Sequence, residues 1–318
     1  MNGSRRFLTI LFFSIIALPA AAQVNDTYVI PAIGNAPGAF GTRWATQLSV
    51  FNPQLDYSLK VSVVFLPTGG GPGIEALLTV PPNGSWYTTN AMADIFGITG
   101  SGSLLVATFP EDNPGVPNDV VSRSFHVITN TYNNSAAGTF GQTVPGIWTG
   151  LQDFASDGIS AVAHGIRHIS RLGWRTNIGA VNLGRSSVTM RLTIYDEDGR
   201  TVAKNLPFTI PPLGHIQDRL PVEVDRGSVE FFIDDPSRDA VVFPYTSTID
   251  QYSGDPAYQS PTLLASANIL YSKGGVHPTA IGKKIDNSFA RGVRATAMRV
   301  GEIPSTMRVG NLEGRREQ

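Results

Sequence analysis

Five histidines occur among the 318 residues, and only His164 and His168 stand at a spacing that would pair them. On a helix or a strand, residues four apart share one face, so the two imidazoles fit the first half of a zinc site. No glutamate follows as in a His-Glu-x-x-His helix, and a third ligand is not evident, so a polar strand or loop is the competing reading. Nucleophilic catalysis has less support: there is no Gly-x-Ser-x-Gly elbow, and serine, histidine and aspartate show no further arrangement. The glycine-rich run Gly69 to Gly73 lacks a following Lys-Ser/Thr and contains Pro72, which suits a hairpin loop better than a phosphate cradle. The chain has no cysteine, which removes thiolate nucleophiles, thiolate metal sites and disulfides together.

Carboxylates offer a second chemistry. Glu111, Asp112 and Asn113 with Asp119 form one acidic loop, and Asp234, Asp235 and Asp239 form its counterpart further on. Clustered oxygens on a loop suit a hard cation such as calcium, although Asp, Asn and Pro are also ordinary turn formers. Asp196, Glu197 and Asp198 are explained more simply by the Asp-Gly hairpin signal at Asp198-Gly199. Aromatic rings supply a third possibility. Trp86, Tyr87, Trp148, Tyr252 and Tyr258 are candidates for a glycan platform, since the apolar face of a sugar stacks on an exposed ring, but they serve equally as core contacts.

These groups must be held by a scaffold, and the scaffold is written twice. Thr79-Val-Pro-Pro returns as Thr209-Ile-Pro-Pro at an offset of 130, and the same offset lays Trp44, Thr46 and Asn52 over Trp174, Thr176 and Asn182. Gly102-Ser103 falls on Gly227-Ser228 at 125, then Val120-Val121 on Val241-Val242 at 121 and Tyr132 on Tyr252 at 120. Such repetition argues for one duplicated unit. Within it, Leu59, Val61, Val63 and Phe65 alternate with Lys60, Ser62 and Val64, the period of a strand with one buried face. Proline can neither continue a central ladder nor sit inside a helix, so each Pro-Pro marks a corner.

About seven strands per unit are expected, near 27–33, 43–52, 58–66, 75–80, 84–89, 102–109 and 119–128, with no amphipathic helical segment longer than Asn90 to Phe96. The expected fold is all-β: two tandem immunoglobulin-like β-sandwich domains, at 23–147 and 161–264, joined by a linker at 148–160, with Trp44 and Trp174 as core plugs.

Composition agrees with an exported β protein. Charged residues make up only 15%, while 33 glycines and 22 prolines punctuate the chain. Arg5 and Arg6, an apolar run to Leu18 and Ala20-Ala21-Ala22 read as a signal peptide over 1–22 cleaved after Ala22, leaving no membrane span. Residues 273–318 carry nine Lys/Arg against four Asp/Glu; with Arg5 and Arg6 set aside, the whole-chain charge of −1 leaves residues 23–272 at −8. An acidic body argues against a nucleic-acid partner. The segment 265–318 has few large apolar residues and repeats Met298-Arg-Val-Gly as Met307-Arg-Val-Gly, so a flexible basic tail is expected.

Three segments carry a resemblance: Gly41 to Pro53, Gly173 to Asn182, and Tyr132 to Gln142. They resemble motifs of uncharacterised secreted proteins of environmental bacteria, acidobacteria-like in particular, in which tandem β-sandwich units follow a signal peptide. The resemblance spans roughly residues 27–264. It implies the fold and export and brings no activity with it. In the second unit Gly138-Thr-Phe-Gly-Gln142 gives way to Asp255-Pro-Ala-Tyr-Gln259.

The expectation is therefore a non-enzymatic structural or adhesive protein, secreted, periplasmic or on the cell surface, with a protein or glycan partner recognised through sandwich edges and loops. A periplasmic chaperone holding a client carboxylate near Arg167, Arg171 and Arg175 is one alternative. A carbohydrate-binding accessory module is another.

Overall fold

The computed structural model describes residues 26–38, 41–135, 138–148, 160–234, 240–264 and 287–304. Of the described residues, 62% lie in strands and 8% in helices. Its first half holds β1 (Thr27–Pro37), β2 (Arg43–Asn52), β3 (Leu59–Pro67), β4 (Ile74–Val80), β5 (Gly84–Thr88), β6 (Gly100–Thr108), β7 (His126–Ser135), β8 (Gly138–Pro145) and β9 (Ile147–Trp148). A short helix α1 (Ala91–Phe96) follows β5, capped by the Asn90 side chain and closed by Gly97 in the left-handed region. The second half holds β10 (Ser160–His168), β11 (Trp174–Asn182), β12 (Val188–Tyr195), β13 (Thr201–Ile210), β14 (Gly214–Arg219), β15 (Val224–Asp234), β16 (Val242–Asp250), β17 (Pro256–Gln259) and β18 (Thr262–Leu264).

One pairing order serves both halves. The first pairs β4-β3-β6-β1-β9 and β5-β2-β7-β8, and the pairing of the end of β1 with β2 joins these two ladders into one continuous sheet; the second pairs β13-β12-β15-β10-β18 and β14-β11-β16-β17 as two separate sheets. Each repeated Pro-Pro turns the chain from one sheet to the other, between β4 and β5 and between β13 and β14. The repeated asparagine explains why the phrase recurs. Asn52 is fully buried and donates its amide to the carbonyls of Tyr57, Val80 and Pro81, while Asn182 donates to those of Ser186 and Pro211. A buried amide clamp thus satisfies the carbonyls of a corner that proline leaves without a ladder.

The offset of the repeat falls from 130 to 125 because α1 has no counterpart after β14. The last strands do not follow the expected alignment: Trp44 pairs with Asn133 and Trp174 with Asp250, an offset of 117. The segment 119–128 is largely a turn, with Val120 and Val121 exposed, and the strand begins at His126. Pro114, Pro117 and Asp119 favour the turn over a strand there.

Three apolar clusters hold the chain. One lies between the sheets of the first half (Leu48, Val50, Val61, Trp86, Val106), one between those of the second (Ile178, Met190, Leu192, Phe231), and both draw on the inward positions of each strand. The core tryptophan is Trp86, whereas Trp44 and Trp174 are only half-buried: Trp174 lies beneath the Arg167 guanidinium, 4.5 Å from its ring centroid. The third cluster joins the halves, setting Val64, Leu66 and Leu105 against Val181, Leu183 and Phe243. That is why β3 reads Val-Val-Phe-Leu at 63–66 without clean alternation: both of its faces are covered.

The tail departs most from expectation. Within 265–318, residues 287–304 form α2 (Asn287–Arg294) and β19 (Met298–Ile303). Ala290 and Val293 of α2 enter the junction cluster, and β19 adds to β4 in parallel register, covering the edge of that sheet. The equivalent edge β13 carries its own defences, namely Lys204, Asn205 at φ 56° within a register shift, and Pro207.

Candidate binding cleft between the two halves

Register alone assembles one face of the β14-β11-β16-β17 sheet. Arg219 stands opposite Asn177, which stands opposite Ser247; Gln217 stands opposite Gly179 and then Tyr245; Arg175 stands opposite Ile249. Residues two apart along a strand share a face, so Arg175, Asn177, Arg219 and Gln217 project together. This face forms the floor of a cleft of about 340 Å³ against the first half, whose wall includes Ile33, Trp44, Thr131 and Gln142. The volume lies near the lower end of the ~300–1,000 Å³ usual for small-molecule sites.

A hydrogen-bond chain crosses the back of the cleft from one half to the other. Ser101 Oγ and Thr68 Oγ1 are 2.9 Å apart, Thr68 Oγ1 lies 2.7 Å from His215 Nδ1, His215 Nε2 lies 2.8 Å from the Tyr245 hydroxyl, and that hydroxyl donates to Gln217 Oε1 at 2.8 Å. With Tyr245 donating to Gln217, its oxygen accepts from His215 Nε2–H, and Nδ1 accepts from Thr68. Burial depresses His215 to about 3, so the neutral imidazole is the form the chain requires. Burial likewise pushes the Tyr245 hydroxyl far above its ordinary range. Gly179 makes room for that tyrosine: a Cβ there would lie 2.2 Å from the ring.

The floor is electrically unbalanced. Arg219 donates through Nε to His168 Nε2 at 3.0 Å and through Nη2 to Ser170 Oγ at 2.6 Å, both neutral partners, and Nε of Arg175 is buried with no acceptor. Neither guanidinium is in an ion pair among the described residues. Burial first, and Arg219 second, lower the pKa of Arg175, and burial followed by Arg219 lowers that of His168. The carboxylate of Asp218 lines the same cleft, so two arginines face one carboxylate there and the cleft keeps an excess of positive charge.

The expected calcium ligands take other partners. Arg291 donates to both oxygens of Glu111, Arg294 binds Asp112 through two nitrogens, and Asp119 caps its own turn at Ser122. Those turn hydrogen bonds hold Asp119 below the usual carboxylate range. Asp234 pairs with Arg191 at 2.8 Å, and Asp235 and Asp239 lie outside the described residues. No group of three metal-binding side chains occurs among the described residues. In a variant with Asp235 and Asp239 replaced by Asn, calcium is expected to leave the melting temperature within about 1 °C of its value in EDTA, because at the first loop the ion would have to displace Arg291 and Arg294. Thermal scans in both buffers check this.

The other sequence candidates are dispersed. His164 is exposed while His168 is buried, and Gly165 at φ 68° introduces a register shift between them. Trp86 is 3% exposed, which removes it from any platform, whereas Tyr87 is 49% exposed on the outer sheet face. Tyr252 is 82% exposed on a turn, Tyr258 stacks on Tyr245 at 5.5 Å, and Trp148 pairs through its backbone with Tyr28. Of the arginines considered for a carboxylate, Arg175 lies in the cleft and Arg167 is bound to Asp225.

Arg219 escaped the sequence reading. Its only signal was a polar run, Gln217-Asp-Arg, placed after the Pro-Pro corner where the first unit has Tyr87-Thr-Thr. No protein-family model matches the chain, and no curated protein does either. Among the described residues no helix is long and apolar enough to cross a membrane.

Proposed function

We propose that this chain is an exported, non-enzymatic binding protein made of two tandem immunoglobulin-like β-sandwich units descended from one ancestral unit, and that it holds an anionic ligand in the cleft between them. The repeated pairing order and the Asn-clamped Pro-Pro corners support the duplication. The signal-like residues 1–22, which lie outside the described residues, support export. The observation that carries the binding role is the pair Arg175 and Arg219, brought to one sheet face without a carboxylate partner. Arg219 is held by His168 and Ser170, but Arg175 gives the fold little: like charges repel, and a buried donor without an acceptor costs roughly 1–3 kcal/mol. Binding sites are where proteins keep groups that stability alone would discard.

The test needs no ligand. In a low-salt buffer of weakly binding ions, Arg175→Gln is expected to raise the unfolding free energy by about 1 kcal/mol, or roughly 2–4 °C in melting temperature. A loss of stability of the same size would mean that Arg175 serves the fold and would remove the basis for this reading.

A further inference from the structure

We infer that the ligand of the cleft is an acidic saccharide, a sugar ring bearing a carboxylate that sits between Arg175 and Arg219; this rests on the reading of the cleft as an anion site. The donors are arranged for it. Gln142 receives the Ser247 hydroxyl on its amide oxygen at 3.1 Å, and Gln217 receives that of Tyr245, so both side chains are left with their NH₂ groups to offer. Two guanidiniums and two primary amides outnumber the one carboxylate lining the cleft, Asp218, and make a donor-rich site matched by an acceptor-rich ligand. A carboxylate takes the planar fork of arginine in a bidentate contact, and ring hydroxyls accept from the amides.

Shape selects among anions. The half-buried ring of Trp44 and the side chain of Ile249 line the same cleft and suit the C–H face of a pyranose, which a bare inorganic ion does not possess. The space of about 340 Å³ admits a small saccharide. A peptide carboxylate fits less well. Extended peptides bind by adding to an unpaired strand edge, whereas the floor here is a sheet face that presents side chains and no free ladder of its own.

The experiment is isothermal titration of the full chain with trigalacturonate, a neutral trisaccharide, a sulfated disaccharide and an acidic peptide, repeated on Arg175→Gln and Arg219→Gln, with inorganic sulfate titrated separately. Trigalacturonate is expected to bind, to weaken at least tenfold in each variant, and to exceed the other three. Circular dichroism confirms that the variants are folded. Tighter binding of the peptide or the sulfated sugar, equal binding of the neutral sugar, or uronate affinity unchanged in both variants would overturn the assignment. If uronate fails while sulfate binds the wild type and not the variants, the saccharide is wrong and the anion site stands. If neither binds, both fall.

Discussion

Replacing Arg294 with methionine is expected to destabilise the protein by about 3–5 kcal/mol, the cost of stranding buried carboxylates. Arg294 is 13% exposed and reaches Glu75 through Nε at 2.6 Å and Asp112 through Nη1 at 2.6 Å; those carboxylates are 5% and 10% exposed. Its guanidinium also lies 4.7 Å from the centroid of the Phe109 ring. The pair is closed from all sides: Ser62 donates to Glu75, and Arg299 approaches both carboxylates from β19. Losing the arginine therefore releases α2 and β19 from the first unit and uncovers the β4 edge. Urea unfolding of Arg294→Met should show the loss. The triple variant Arg294→Met, Glu75→Gln, Asp112→Asn should recover much of it, because the penalty lies in the uncompensated charge. A single-variant loss below about 1 kcal/mol would mean that the tail is not held by this pair.

Acid should unfold the protein through His215. An imidazole whose folded pKa is depressed binds fewer protons folded than unfolded, so stability rises with pH between the two values and is lost as pH falls through that window. Here the window runs from 6.5 down to about 3. Each pH unit within it removes about 1.4 kcal/mol, and the full effect is on the order of 4–5 kcal/mol. Buried His168 is depressed too and adds in the same direction. The variant His215→Gln keeps one donor and one acceptor for Tyr245 and Thr68 and has no proton to gain. It should start less stable at pH 7 by about 1–3 kcal/mol and then lose less on acidification, so that the two proteins converge or cross between about pH 6 and pH 4. Parallel curves would show that His215 does not carry the acid sensitivity.

Much of this architecture could be read from residues at fixed offsets. Asn52 and Asn182 coincide because each clamps the same corner, and Thr46 and Thr176 coincide because each hydroxyl lies 2.9 Å from a threonine of the neighbouring strand, Thr131 or Thr248. Those roles are local to the unit, so sequence alignment of the halves finds them. Other features depend on partners distant in the chain. Val120 and Val121 look like strand residues, yet no pairing strand reaches them. The tail's arginines are too sparse to suggest order, and their partners Glu75, Glu111 and Asp112 lie far upstream.

The cleft was half legible for the same reason. Arg175 follows the repeated tryptophan and invited attention, but its partnership with Arg219 comes from strand register across forty-four positions. The aromatic bulk of Trp44 and Trp174 suggests core plugs; the register instead places them at strand starts, where both stay half-buried.

The most direct measurement is the sulfate dependence of thermal unfolding, made on the full chain and on the double variant Arg175→Gln, Arg219→Gln at constant ionic strength. Sulfate is expected to raise the wild-type melting temperature, reaching about 2.7 kcal/mol of stabilisation at a hundredfold excess over its dissociation constant, and the double variant is expected to show little of this rise. Equal sulfate responses in the two proteins would contradict it, because the stabilising anion would then be acting somewhere other than between Arg175 and Arg219.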